Sequence, residues 1–404
     1  MSSTVKNILL IVPYGGVGGM ERLVHNFYKH YKTQGNNLKV LKFIKLNNDL
    51  INFEEDELFL KPYDFGSMSR LERIMFYFKS PLRLRKIIKK HNVTHSIAFG
   101  DMANLFSSLT FTKEFKVGSI HALKSVELKN KTLFNKIVGI GYRTSYRHLD
   151  KLVCISKAIK EDLRKNCGYR FNNMEIIYNP HNIEDIITQS NEPITDKSEL
   201  EIFEKEVVLF LGRLSLQKSP WHLVKAFSIL RKSHKDVNLV LMGDGDSRVL
   251  EHLKLLIAKL DLDKKVFLIG RRSNPYKYIK SSKLLALSSH YEGTPNVIVE
   301  AIAVGTPIVS SNCTDGILEL MSLTHHNESQ ENIVTESGVV TPNLFDGQLG
   351  IPETDEILQR ERDFADAMYS ILRSNIFKVK LEQNRAELLS KFNLVKVASK
   401  YMRQ

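Results

Sequence analysis

The sequence predicts an α/β protein made of two Rossmann-like domains, each a doubly wound parallel sheet. Three observations carry that expectation. The chain has 404 residues, too long for one ordinary core. Short apolar runs of strand length alternate with stretches of helical spacing, and the alternation occurs in two series. Between the series, near residue 187, the pattern gives way to a polar stretch containing Pro193.

The first series opens with the apolar run KNILLIVPY, the glycine loop GGVGG and a helix with Leu23, Phe27 and Tyr31 on one face. NLKVLKFIKL then alternates as a strand does. THSIAFG, FKVGSIHA and DKLVCIS are further apolar runs that end in small or polar residues. The acidic stretch TQSNEPITDKSELEIFEKE reads as a linker. The second series has the strands EVVLFLGR, VNLVLMGDG, KVFLIGR, KLLALSS and PIVSS, with helices from about Pro220, Arg248 and Pro295. The expected division is a first domain at 1–190, a linker at 191–205, a second domain at 206–384, and a C-terminal helix at 385–404 that packs back on the first domain. The two sheets are expected to face a cleft, because ligands of such sheets sit outside the carboxyl ends of strands.

Composition narrows the class. Hydrophobic content of 43% and charge of 25% describe a soluble globular protein. No apolar run is long enough to span a bilayer, and the start does not read as a signal peptide, so a cytoplasmic location is expected. Cys154, Cys167 and Cys313 are scattered, which argues against a disulfide framework or a zinc site. The net charge of +13 suits nucleic acid, an anionic membrane surface or phosphorylated substrates. It concentrates between Met68 and Asn92, where Arg70, Arg73, Lys79, Arg83, Arg85, Lys86, Lys89 and Lys90 face Glu72 alone. The bulky residues among them suit a helix lying on a membrane. The plainer reading, a helix with one buried and one solvated basic face, is the default.

The stretch SSHYEGTPNVIVEAIAVGTPIVSS holds two glutamates, Glu292 and Glu300, eight positions apart. Thr294 is a suitable N-cap and Pro295 a good first helical residue, so a helix is expected to start close to Asn296. Its N-terminal amides and dipole can hold a phosphate. Glu292 precedes the cap and faces the same mouth, and Glu300 can reach a hydroxyl-rich group lying along the helix. Spacing alone is also met by an acidic loop and a surface glutamate. Nearby, FLGRLSLQKS puts Arg213 and Lys218 just past a strand, where two cations can neutralise a diphosphate leaving group. LMGDGD puts Gly243, Asp244 and Gly245 at the next strand end, where small residues let a ligand approach the backbone. LIGRR repeats that arrangement at Gly270 and Arg271.

Together these segments resemble the family-4 retaining glycosyltransferases of the GT-B fold. The pattern comprises Gly212-Arg213-Leu214 with Lys218, Gly243-Asp244-Gly245, Gly270, Glu292-Gly293-Thr294-Pro295-Asn296 with Glu300, and Gly305-Thr306-Pro307. Gly18-Gly19-Met20-Glu21-Arg22, VCISKAIKEDL and IIYNPHN resemble the family's first domain. The resemblance implies that Arg213 and Lys218 bind the donor diphosphate and that Glu300 holds the nucleotide ribose. It places Glu292 and the backbone of Gly293 to Asn296 at the donor sugar. Gly18 and Gly19 would approach the diphosphate, His121 would contact the transferred sugar, and Gly270 and Arg271 would border the base. One departure concerns the loop after GTPIVSS. Here it reads NCTDGILEL, without the family's proline but with Gly316 and Glu319 kept, which leaves the sugar open.

A dinucleotide site is excluded, because position 21 is Glu and the next strand ends without an acidic residue. No P-loop lysine motif and no Asp-x-Asp motif occurs, so neither ATP hydrolysis nor a required metal is expected. The expected activity is retaining transfer of a hexose or N-acetylhexosamine from a nucleotide-diphosphate sugar, UDP favoured. The acceptor is expected to be a saccharide, polyprenyl-diphosphate-linked or lipopolysaccharide, in bacterial surface-glycan assembly at the inner membrane face. Front-face substitution is favoured, with the leaving phosphate oxygen helping to deprotonate the acceptor; Asp101 is a further candidate base. Alternatives are a non-hydrolysing nucleotide-sugar epimerase on the same fold, a nucleic-acid binder, which lacks a zinc-finger or aromatic-basic signature, and a silent scaffold.

Overall fold

The structure is a computed structural model that describes residues 5–13, 19–45, 52–61, 67–129, 132–326 and 329–403. It divides into two compact units, Met1–His181 with Phe392–Gln404, and Asn182–Lys391.

Among the described residues, the first unit holds a seven-stranded parallel sheet. Its strands are β1 (Asn7–Val12), β2 (Asn37–Ile44), β3 (Glu57–Lys61), β4 (His95–Phe99), β5 (Phe115–Ile120), β6 (Lys151–Cys154) and β7 (Met174–Ile176). Their order is β3-β2-β1-β4-β5-β6-β7, so the winding reverses between β1 and β4. Period-two alternation sends Leu9 and Ile11 to one face and Ile8, Leu10 and Val12 to the other. The first face packs on Phe76, Leu84 and Ile88 of the helix Arg70–Lys90. The second packs on Leu23 and Phe27 of the helix Gly19–Thr33, and on Val397 and Tyr401 of the helix Leu394–Met402. Cover on both faces is why these strands read as continuous apolar runs.

The second unit repeats the plan with β8 (Glu206–Leu211), β9 (Val237–Met242), β10 (Val266–Leu268), β11 (Leu284–Leu287), β12 (Ile308–Ser311), β13 (Ile333–Val334) and β14 (Gly338–Thr341). The order is β10-β9-β8-β11-β12-β14-β13, parallel except for β13 against β14, and the winding reverses between β8 and β11.

The boundaries differ from those expected. The second unit starts at Asn182 with the helix Ile183–Ser190, and the stretch read as a linker holds a further helix, Lys197–Phe203. Its polar residues have structural work. Asn182 and Asp196 cap these helices, and buried Glu199 accepts hydrogen bonds from Arg272 Nε at 2.7 Å and Tyr278 Oη at 2.5 Å. The chain returns to the first unit at Phe392 rather than 385, since the helix Ile376–Ser390 stays with the second unit. On the first unit, Tyr31 Oη donates to Ala398 O at 2.9 Å.

The helix Arg70–Lys90 has the expected buried face. Its outer face is more than a solvated basic surface. Leu71 and Phe78 are 75% and 76% exposed, and Ile74, Met75 and Leu82 extend the same stripe at helical spacing. Exposed Ile137 and Ile140 lie on the helix Leu133–Arg143, which meets it where Tyr77 contacts Phe134 at 5.9 Å. Among the described residues, no helix is long and apolar enough to cross a membrane.

Candidate active site

In the second unit the predicted residues gather at the carboxyl ends of β8 and β11, where the winding reverses and such sheets hold their ligands. Arg213 and Lys218 follow β8, and Glu292 follows β11. Lys218 Nζ forms an ion pair with Glu292 Oε1. The same oxygen accepts from Ser289 Oγ at 2.8 Å. The two segments are laced together further. His290 N donates to Gln217 O at 2.8 Å, and Gln217 Nε2 donates to Tyr291 O at 3.0 Å. Ser219 Oγ donates to Ser288 O at 2.6 Å. Arg213 is exposed and, among the described residues, has no ion pair, so its charge faces outward.

The glycines after β9 answer to a neighbouring backbone. A Cβ on Gly243, whose φ is +147°, would lie 1.9 Å from Gly212 O. One on Gly245 would lie 2.2 Å from Leu214 O. Here they let two backbones approach, and the Arg213 loop is fixed by Leu214 N–H donating to Asp244 O at 2.9 Å. Gly270, with φ +68°, accepts from Gly243 N at 3.0 Å, and Arg271 beside it is exposed.

The glutamate-bearing helix runs over Asn296–Val304, and Glu300 is buried within it. Its cap differs from the expected one. Pro295 occupies the N-cap with no side-chain hydrogen bond, and Thr294 stands one residue outside. Thr294 Oγ1 is buried without a hydrogen-bond partner, as is Asn312 Oδ1 just past β12. An uncapped helix end beside orphaned polar atoms is a setting for a polar ligand. The departing loop packs closely here, since a Cβ on Gly316 would lie 2.6 Å from Gly293 O.

In the first unit, Gly19 opens the helix that follows β1, and Gly18 lies outside the described residues. His121 follows β5, with Nε2 2.8 Å from Ser119 Oγ. Burial, then the Lys124 ammonium, pushes its pKa down to about 4, so it presents a neutral imidazole. Asp101 accepts from Lys124 Nζ at 2.8 Å and from Tyr142 Oη at 2.6 Å. Sequence reasoning missed Gln217, Ser289, His222, His290, Glu361 and Asn312. Only Gln217 and Ser289, flanking the motifs, carried a local signal.

Two such doubly wound parallel-sheet units are the architecture of the GT-B fold. The family model described as Glycosyltransferase Family 4 matches residues 17–185, and the one described as Glycosyl transferases group 1 matches residues 192–331. The chain belongs to this glycosyltransferase family. It is 25% identical over 369 residues to an uncharacterised glycosyltransferase of Methanocaldococcus jannaschii, covering 85% of this chain and 90% of that one. It is 28% identical over 311 residues to the Campylobacter jejuni N-acetylgalactosamine-N,N'-diacetylbacillosaminyl-diphospho-undecaprenol 4-alpha-N-acetylgalactosaminyltransferase, covering 76% and 80%. The crystal structure of Anabaena HepE with UDP and glucose superposes with a TM-score of 0.69 at 19% identity, covering 98% of each chain.

Proposed function

We propose that the protein transfers a hexose or N-acetylhexosamine from a UDP-sugar to a lipid-linked saccharide with retention of configuration. The setting is surface-glycan assembly at the inner face of the membrane. The observation that carries this is Lys218 paired with Glu292 beside an uncapped helix N-terminus at the reversal of the second sheet. Departure of the nucleotide breaks the bond from the anomeric carbon to the phosphate oxygen and leaves negative charge on the diphosphate. Arg213, Lys218 and the helix amides stabilise that charge. The acceptor oxygen bonds to the anomeric carbon on the same face, and its proton passes to the leaving phosphate oxygen. Within the second unit, Glu300 would hold the ribose and Gly270 and Arg271 would border the base, as the family resemblance implies. No step calls for a metal.

Support for UDP comes from Anabaena HepE, whose structure holds it, and for the acceptor from the Campylobacter jejuni relative, named for a diphospho-undecaprenol substrate. The exposed apolar stripe of the helix Arg70–Lys90, with its basic flanks, suits an anionic membrane surface carrying that acceptor. The test incubates the protein with UDP-glucose, UDP-galactose and their N-acetylhexosamine counterparts, with and without undecaprenyl-diphosphate saccharides and EDTA. The expected product is a glycosylated acceptor whose new linkage keeps the donor's anomeric configuration by NMR, with activity surviving EDTA. An inverted linkage overturns the mechanism, and an epimerised sugar formed without acceptor overturns the activity.

A further inference from the structure

Beneath the Lys218–Glu292 pair lies a buried chain of titratable groups that the transfer step does not use. His222, His290, Lys225 and Glu361 are all buried in the second unit. His222 Nδ1 is 2.7 Å from Glu361 Oε1, and His222 Nε2 is 3.0 Å from His290 Nε2. Glu361 acts as an acceptor on both sides. Its Oε2 takes the N–H of Leu358 at 2.8 Å, and Lys225 Nζ stands 3.6 Å from Oε1.

The proton assignment that satisfies the most of these contacts has Glu361 accepting from His222 Nδ1–H, with a lone pair at His222 Nε2. His290 must then donate from Nε2, which leaves its Nδ1 a bare lone pair. That atom is buried without a partner. The opposite arrangement would strand a buried N–H, the costlier defect. Burial and the neighbouring His222 push the His290 pKa down to about 4, in keeping with a neutral ring.

The chain joins two loops. His222 sits in the first turn of the helix Pro220–Ser233, which starts two residues after Lys218, and His290 precedes Glu292 by two. Trp221 and Phe345 contact the His290 ring at 5.8 Å and 5.1 Å between centroids. We propose that His222 and His290 are positioning residues whose shared proton sets the register of Lys218 against Glu292. This inference rests on the donor-site reading above.

The test is a double-mutant cycle. His290→Leu keeps apolar volume and deletes the hydrogen bond, His290→Gln keeps a donor, and Lys218→Gln removes the cation. Hydrolysis of the UDP-sugar giving the highest wild-type rate reports kcat, and calorimetry with UDP reports binding. Loss of register should cost His290→Leu roughly ten- to a hundred-fold in kcat, with UDP affinity little changed and activity largely rescued in His290→Gln. Because the histidine acts through Lys218, Lys218→Gln with His290→Leu should be no slower than Lys218→Gln alone. Full turnover in His290→Leu, or losses that multiply in the double variant, overturns the inference while leaving the donor site intact. A His290→Leu protein that neither melts cooperatively nor binds UDP marks a core histidine only, and also overturns it. Wild-type turnover in Lys218→Gln overturns this inference, and wild-type turnover in Arg213→Gln as well overturns the donor-site reading.

Discussion

Lys218 and Glu292 lie 74 positions apart in sequence and meet as an ion pair, one past the end of β8 and the other past the end of β11. The pair is mostly withdrawn from solvent, with side-chain exposures of 17% and 9%. A partly buried cation held in place before reaction needs little reorganisation when charge develops beside it. Lys218→Gln and Arg213→Gln should therefore each lower turnover by about 2.7–4 kcal/mol of transition-state stabilisation, if each resembles one oxyanion-hole donor. The loss should fall on kcat rather than on UDP binding. Steady-state kinetics with titration calorimetry separates the two, and unchanged kcat in both variants removes the assignment.

Gly243 should tolerate no side chain. Its φ of +147° opposes alanine, and so does the Gly212 carbonyl oxygen, which lies 1.9 Å from the place a Cβ would take. Backbone strain of this kind costs roughly 1–3 kcal/mol, and the displaced Gly212 peptide carries Arg213 with it. Gly243→Ala should melt earlier and turn over more slowly, whereas Gly350→Ala, with open space around it, should do neither. Equal melting temperatures for the two variants would contradict the packing account.

How far these features were legible depends on whether the cause was local. The strands were legible because burial on both faces writes continuous apolar runs such as Leu9 to Val12. The Glu292 loop was legible because its residues are contiguous. The partnership of His222, His290 and Glu361 was not, since 68 and 139 positions separate His222 from its two partners. The acidic stretch around Glu199 misled for a related reason. Its charge is answered by Arg272, 73 positions on, which no local composition reveals. Thr294 satisfied the residue preference for a cap, but the helix begins one residue later, after Pro295.

Acid should destabilise the fold before its carboxylates titrate. Burial is the main cause that lowers His95, His121 and His290 from an unfolded value of 6.5 to about 4. Between those values the unfolded chain binds more protons than the folded one, so stability rises with pH across the window. The stability from their neutral forms is fully present above 6.5 and is lost as pH falls toward 4. Melting temperature should fall steadily from pH 7 to pH 4.5, and glutamine at all three positions should flatten that slope. The same slope in the triple variant would assign the acid sensitivity to other groups.

The last prediction concerns the helix Arg70–Lys90. Its outer stripe of Leu71, Ile74, Met75, Phe78 and Leu82 is apolar and exposed, and Lys79, Lys86 and Lys89 are exposed beside it. Full burial of one such apolar side chain is worth about 1.5–3 kcal/mol. Each lysine near an anionic surface adds about 1 kcal/mol, felt only within a Debye length of roughly 8–10 Å. The two contributions separate by salt. Leu71→Gln with Phe78→Gln should weaken sedimentation with phosphatidylglycerol vesicles at every salt concentration. Glutamine at Lys79, Lys86 and Lys89 should weaken it chiefly at low salt. Both sets should slow transfer to a lipid-linked acceptor and leave UDP-sugar hydrolysis unchanged, because Lys218 and Glu292 belong to the other unit. Unchanged sedimentation in the apolar double variant would show that the stripe meets no bilayer, and a fall in hydrolysis would place the damage in the fold rather than at the membrane.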